Sequence, residues 1–259
     1  MNTQRWSIHR RFCYRLSELL AVLCWGLLYL LRNRRQGWLT REEIRLARFS
    51  FSQFGEDLVI EELLNQLGIS HGFYVDVGAF DPVIGSNTLL LFKRGWSGIN
   101  IDVDEQKIER FRRARPRDWS VACGVAKTAG RKKFAHYEEG RLTRQITESN
   151  DRSTMGDPAL ETFEVDTKPL QMILDDSPFH GRQIDFLNVD CEGRDLEVLE
   201  SLDFAVYRPR LVAVEMHDRP EEAEIREFMS GQGYVVTNRL GLVRIFASRV
   251  ELARLGLEG

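Results

Sequence analysis

Glycine-rich phosphate loops are missing from this sequence. It contains neither Gly-x-Gly-x-x-Gly nor Gly-x-x-x-x-Gly-Lys-[Ser/Thr], which weighs against a pyrophosphate cofactor such as NAD and excludes a P-loop nucleotidase. Cysteine is scarce: Cys13, Cys24, Cys123 and Cys191 are the four present, and no pair has Cys-x-x-Cys spacing. They are read as reduced thiols of a cytosolic protein, because a disulfide scaffold or a zinc site needs closer spacing. No repeat and no low-complexity tract occurs. Long apolar runs are also wanting. The longest uncharged run, Leu19 to Leu31 (LLAVLCWGLLYLL), has thirteen residues, short of the roughly 20 that a membrane span needs.

What is present describes an ordinary globular chain of 259 residues, 43% apolar and 29% charged. The net charge of −3 conceals an asymmetry. Residues 1–48 hold ten arginines against Glu18, Glu42 and Glu43, so this leader carries +7 and the remaining 211 residues carry −10. An acidic body repels phosphate backbones, so nucleic acid is not an expected partner. A basic leader suits an anionic surface. Its apolar run is read as an N-terminal helix lying in or dipping into the inner leaflet, with contacts through residues 5–38 and with Trp25, Tyr29 and Trp38 near the interface. A helix packed on the domain or on a partner, and a cleaved signal, remain the alternatives. This divides the chain into a leader, 1–48, and a catalytic domain, 49–259, in the cytoplasm or at the inner face of the membrane.

Beyond the leader, predicted strands alternate with predicted helices. Strands are expected at 72–77, 98–101, 119–124, 184–189 and 210–215, with a further edge strand at 131–137. Helices are expected at 86–94, 104–115, 169–174, 194–201 and 221–230. Residues 140–157 are polar and aperiodic and read as a loop. Two strands about four residues apart, 234–237 and 242–247, with Gly241 at the turn, form an antiparallel hairpin. The alternation predicts an α/β, doubly wound, mostly parallel sheet covered on both faces. Ligands of such sheets bind beyond the carboxyl ends of the strands, where Asp76, Asp102, Asp190 and Glu215 fall.

The turn Asp76-Val-Gly78-Ala79-Phe80-Asp81 follows the first strand, and Gly78 permits a backbone shape and a close approach closed to other residues. The next helix, opening near Ser86 and Asn87, would offer free N–H groups to a carboxylate or phosphate. The alternative is an ordinary turn with Ser86 as helix cap. Asp102 follows Asp76 by 26 positions and could accept both hydroxyls of a ribose, or else serve the helix after Asp104. Together they describe a nucleoside-containing cofactor. With no phosphate motif, S-adenosylmethionine fits best.

The segments Ser50-Phe-Ser-Gln-Phe-Gly-Glu-Asp57, Phe73-Tyr-Val-Asp-Val-Gly-Ala-Phe-Asp-Pro82, Gly85-Ser-Asn-Thr88, Gly95-Trp-Ser-Gly-Ile-Asn-Ile-Asp102 and Ile184-Asp-Phe-Leu-Asn-Val-Asp-Cys-Glu-Gly193 resemble, in this order, the FkbM-type S-adenosylmethionine-dependent methyltransferases. The resemblance covers about residues 50–215. It implies a class I methyltransferase (Rossmann-like) fold of seven strands with the last inserted antiparallel. It also implies O-methylation of a small-molecule, sugar or glycan hydroxyl. By resemblance, Asp76 and Gly78, with Ala79 and Asn87 of the same turn, cradle the methionine part. Asp102 holds the ribose, and Val103 and Cys123-Gly124 flank the adenine. Gln53 would close over the cofactor, or belong to a helix start with capping-box spacing to Ser50. Phe80 and Pro82 stand where glycines are common in class I enzymes.

For the acceptor side, Asp190 and Glu192 flank Cys191 at a strand end. They could orient or deprotonate a hydroxyl or bind a metal, or they could order the pocket and cap the next helix. His217 is a further candidate base. No metal site is assigned. Two other readings stay open: a glycosyltransferase using Asp102-Val-Asp104 as a D-x-D metal pair, and a binding protein of the same fold without turnover.

Overall fold

The structure, a computed structural model, describes residues 45–139, 143–148, 161–216, 219–254 and 256; the leader's apolar run and His217 lie outside them. The chain divides after Phe49, and the unit 50–259 carries every strand given below. In chain order this unit opens with α1 (Glu56–Gln66), β1 (Phe73–Val77), α2 (Leu89–Lys93), β2 (Ser97–Asp102), α3 (Glu105–Ala114) and β3 (Trp119–Ala122). Next come β4 (Gly124–Val125), β5 (Gly130–Glu139), β6 (Thr143–Glu148), β7 (Glu161–Lys168) and α4 (Leu170–Asp176). The chain then forms β8 (Phe186–Val189), α5 (Asp195–Glu200), β9 (Leu211–Glu215), α6 (Arg219–Gly231), β10 (Tyr234–Leu240), β11 (Val243–Ser248) and α7 (Arg249–Arg254).

Period-two alternation in β1 sets the layers. Phe73, Val75 and Val77 point to one face, where they meet Leu170, Ile173 and Leu174 of α4, Val198 and Leu199 of α5, and Ile225 and Met229 of α6. Tyr74 points to the other, against Ile60 and Leu64 of α1 and Leu91 of α2. All five residues of β1 are buried, as a parallel strand covered on both faces must be. Each large apolar side chain so buried contributes about 1.5–3 kcal/mol. The main sheet runs β10–β11–β9–β8–β1–β2–β3. Strand β11 is antiparallel to both β9 and β10, and the other pairings are parallel. The expected doubly wound sheet with an inserted antiparallel strand is therefore present.

Three expectations are corrected. The strand near 131–137 is not an edge of the main sheet but β5 of a second, four-stranded sheet ordered β4–β7–β5–β6. Part of the expected loop 140–157 is strand β6, antiparallel to β5 from Phe134↔Glu148 to Glu139↔Thr143. Its sequence, Thr-Arg-Gln-Ile-Thr-Glu, has one large apolar residue, so its pairing with β5, not its own pattern, makes it a strand. The helix expected from Ser86 starts only at Leu89, because Ser86 Oγ accepts the N–H groups of Thr88 (3.3 Å) and Leu89 (3.1 Å).

Two turns fix the carboxyl edge of the main sheet. At Gly78 (φ +76°) the chain leaves β1 in the left-handed region. Its N–H reaches Ile101 O (2.9 Å), as does that of Ala79 (3.0 Å). A Cβ at Gly78 would overlap the Asp190 carbonyl. After β8, Asp195 reaches back to accept the N–H groups of Cys191 (2.9 Å) and Gly193 (3.1 Å), holding Glu192 at φ +52°. Burial, ahead of repulsion by Glu221 and Glu215, pushes Asp195 up to about 7 against those two backbone bonds.

Two outcomes follow. Gly78→Ala adds left-handed strain to a backbone clash and is expected to destabilise the fold by roughly 2–5 kcal/mol in urea melts. Because the folded pKa of Asp195 lies above the unfolded value, its stabilising contribution is whole below about pH 4 and declines as pH rises through about 7. Asp195→Asn should therefore flatten part of the decline in urea midpoint between those limits; an unchanged pH profile would contradict the assignment.

Candidate active site

The parallel order brings the carboxyl ends of β1, β2, β3, β8 and β9 to one edge, and with them Gly78, Asp102, Cys123, Asp190 and Glu215. Asp102, 6% exposed, holds one backbone N–H on each oxygen: Phe80 N at 3.0 Å on Oδ2 and Asp104 N at 2.9 Å on Oδ1. Lys107 Nζ stands 3.6 Å from Oδ2. A carboxylate has about four acceptor positions, so Asp102 keeps capacity for a vicinal diol. Phe80, at φ +55°, sits in strained backbone that the Asp102 bond offsets. Its ring stays 38% exposed with Lys107 Nζ 4.7 Å from its centre. The departure from glycine at position 80 thus places an aromatic face beside Asp102. Asp81 accepts Val83 N (2.8 Å) and Ile84 N (2.9 Å) and is clamped by Arg110.

Beneath this turn lies a buried polar row. In register across four adjacent strands stand Asn188 of β8, Asp76 of β1, Asn100 of β2 and Ser120 of β3. Asp76 Oδ2 accepts Thr88 Oγ1 at 2.6 Å, and Oδ1 accepts Asn188 Nδ2 at 2.9 Å. Asn87 Nδ2 donates to Asn188 Oδ1 at 2.9 Å. Two residues expected to touch a cofactor, Asp76 and Asn87, thus support the turn with their side chains. Burial raises the Asp76 pKa, while bonds from Thr88 and Asn188 and the charge of Arg115 oppose that.

The other expected residues divide. Gly78, Ala79, Asp102 and the half-buried Val103 lie together at the ends of β1 and β2. Cys123, whose N–H bonds Asp102 O at 3.0 Å, is beside them, but its thiol is engaged by the carbonyls of Gly124 and Asp166, both at 3.3 Å. Gly124 packs into the second sheet, where a Cβ would stand 2.8 Å from Thr167. Gln53 is exposed in a loop pinned by Asp57, which accepts Ser50 Oγ (2.6 Å), Phe51 N (2.7 Å) and Ser52 Oγ (2.9 Å). Gly55, not Ser50, precedes α1 as its cap. Phe54 of that loop leans on the β10–β11 turn, its ring 2.6 Å from where a Cβ of Gly241 would be.

On the acceptor side the register β8–β9 ends at Val189↔Val214, so Asp190 and Glu215 are the next neighbours. Their carboxyls are hydrogen-bonded, and burial, then that bond and the charge of Glu215, push Asp190 far above the usual carboxylate range. The like charge so close disfavours ionisation of Asp190. Glu192 is exposed on its strained turn. Cys191 is held as a neutral thiol by burial and by Asp195 and Asp190. Asp104, the second acid of the D-x-D reading, caps α3 by accepting Gln106 N at 2.7 Å. Among the described residues no group of three or more His, Cys, Asp or Glu is arranged to hold a metal.

Sequence reasoning missed the partners that order the site: Thr88, Asn188, Arg115 and the pairing of Glu215. A signal existed for one of them: Asn188, like Asp76, is the last position but one of an otherwise apolar strand, where a polar residue needs a buried partner.

Residues 76–236 match the family described as "Methyltransferase FkbM domain". No curated protein matches the chain. Among solved structures it is similar to a TehB-like SAM-dependent methyltransferase from Corynebacterium glutamicum, at 12% identity over 81% of this chain and 94% of that one, TM-score 0.40. It is also similar to a methyltransferase from Geobacter sulfurreducens, at 14% identity over 92% and 97%, TM-score 0.41. An O-methyltransferase from Bacillus cereus in complex with SAH gives 11% identity over 79% and 84%, TM-score 0.40. The family match takes in more than half of the sequence, from the Asp76 turn to the terminal hairpin, and so this chain belongs to the FkbM methyltransferases and takes S-adenosylmethionine as its cofactor.

Proposed function

We propose that the protein methylates a hydroxyl oxygen of a sugar, glycan or related small metabolite. The observation that carries this reading is the pairing of Asp190 with Glu215 one strand away from the Gly78 turn. S-adenosylmethionine supplies an electrophilic methyl group on a sulfonium. Asp102 would hold the ribose diol, and the backbone of Gly78 and Ala79 the methionine end. Asp190, ionised while Glu215 hydrogen-bonds it, would accept the hydroxyl proton as the oxygen–methyl bond forms and the sulfur–methyl bond breaks, S-adenosylhomocysteine being the leaving group. Alignment of the reacting atoms supplies much of the rate in such a transfer, and the buried carboxyl adds a base where an alkyl hydroxyl is a weak nucleophile. Glu192 and His217 stay in this scheme as acceptor-side catalytic candidates, His217 as an alternative base. The basic and apolar residues 5–38 would attach the enzyme to the inner face of a membrane, where a lipid-borne glycan is met; this rests on the sequence, since those residues lie outside the described ones. Among the described residues, no helix is long and apolar enough to cross a membrane.

Titration of the full chain with S-adenosylhomocysteine should give micromolar affinity, and a nucleotide-diphosphate sugar with manganese should give none; the reverse pattern would overturn methyl transfer. Asp102→Ala is expected to weaken S-adenosylhomocysteine binding by about 1–3 kcal/mol through lost charge-assisted hydrogen bonds. With an acceptor found by screening sugars and lipid-linked glycans for S-adenosylhomocysteine release, Asp190→Asn should lower kcat far more than cofactor affinity. An opposite ranking would remove Asp190 from the acceptor side. Cell fractionation with and without residues 1–36 tests membrane attachment.

A further inference from the structure

We infer that Arg115 is the positioning residue that sets the cofactor turn, acting through Thr88 and Ser86. Three observations on one side chain carry this. Arg115 follows the last turn of α3 just before Pro116, and it is fully buried, at 0% exposure. Its guanidinium grips three points of a single loop: Nη2 donates to Pro82 O (2.8 Å) and Ser86 Oγ (2.8 Å), and Nη1 donates to Thr88 Oγ1 (2.7 Å). Its charge is met at one hydroxyl's remove on two sides. Thr88 Oγ1 in turn donates its hydrogen bond to Asp76, and Tyr74 OH, 3.4 Å from Nη1, donates to Asp118. Phe111 and Phe92 lie at 4.9 and 5.8 Å from Cζ.

A planar fork with five donors can hold three acceptors of one loop in fixed relation, and the ammonium of lysine cannot reproduce that spread. The loop so held, 82–88, continues through Asp81 from Gly78, Ala79 and Phe80, of which Phe80 N bonds Asp102 while Gly78 and Ala79 bond Ile101 O. Arg115 therefore joins the far end of the turn to the floor of the sheet, while Asp102 fixes its near end. Nothing in the grip depends on the acceptor. The inference rests on the reading that this turn and Asp102 hold the cofactor.

Calorimetric titration of the full chain with S-adenosylhomocysteine tests it, alongside hydrogen exchange of the amides 83–89 and thermal melting. Arg115→Lys should bind at least tenfold more weakly, with faster exchange confined to those amides. Thr88→Val, nearly isosteric, removes the link to Asp76 and should weaken binding three- to tenfold; it decides the matter if Arg115→Lys does not fold. Folded variants of both kinds with wild-type affinity would overturn the inference. Asp102→Ala separates it from the reading beneath it. Weak binding by Asp102→Ala with wild-type binding by both other variants removes only the role of Arg115. Wild-type binding by Asp102→Ala removes the cofactor site itself, and the inference with it.

Discussion

A row of polar side chains buried across the middle of an apolar sheet governs this molecule. Asn188, Asp76, Asn100 and Ser120 stand level on β8, β1, β2 and β3, and none of them can return to water once the helices close over the sheet. Their partners must come from the protein. Thr88 and Asn188 satisfy Asp76. Asp118 receives Asn100 Nδ2 at 3.1 Å and Gly98 N at 2.9 Å. Arg115 threads between them. A buried network of this kind is stabilising only when every member is bonded, since removing one partner from a buried charge costs about 3–5 kcal/mol. The geometry of the turn above it is consequently supported by the floor as well as by the turn's own residues, Gly78, Asp81 and Ser86.

That dependence accounts for a departure that would otherwise be awkward. Position 80 holds Phe where glycine is common in enzymes of this class, and its backbone takes φ +55°. The strain is held by the Asp102 bond on one side and by the Asp81 turn, clamped by Arg110, on the other. In exchange the carboxyl edge presents an aromatic face next to Lys107 and beside Asp102. The second strained residue, Glu192, has a comparable support in Asp195. Both strained residues lie at the carboxyl edge, each held by a carboxylate that accepts backbone N–H groups there.

The sheet also divides labour along its edge. The half built from β1, β2 and β3 carries the acid and the glycine that suit a nucleoside. The half built from β8, β9 and β11 carries the paired carboxyls Asp190 and Glu215, next to the Gly241 turn against which Phe54 leans. The inserted antiparallel strand matters here, because its register Val243↔Glu215 brings the hairpin turn to the same edge as the acids. The second sheet rises from the end of β3 and returns at α4, beside Cys123 and Gly124.

Much of this was legible in the amino-acid order. Apolar runs closing at an acid, as at Asp102 and Asp190, identified parallel strands and their carboxyl ends, because burial on both faces leaves mostly apolar residues in the strand and releases polar ones at its exit. Asp76, by contrast, proved to lie buried inside β1. Gly78 was legible because a left-handed turn under a neighbouring carbonyl admits no side chain. Hidden from the sequence was everything that depends on which strands are neighbours. Asp190 and Glu215 are 25 positions apart and become a hydrogen-bonded pair only through the β8–β9 register. Strand β6 has too little apolar pattern to declare itself and is made by β5. Arg115 reads as one of several arginines ending a basic helix, and only the folded chain, by burying it under the 82–88 loop, turns a surface-type residue into the cation that holds the site's floor to its turn.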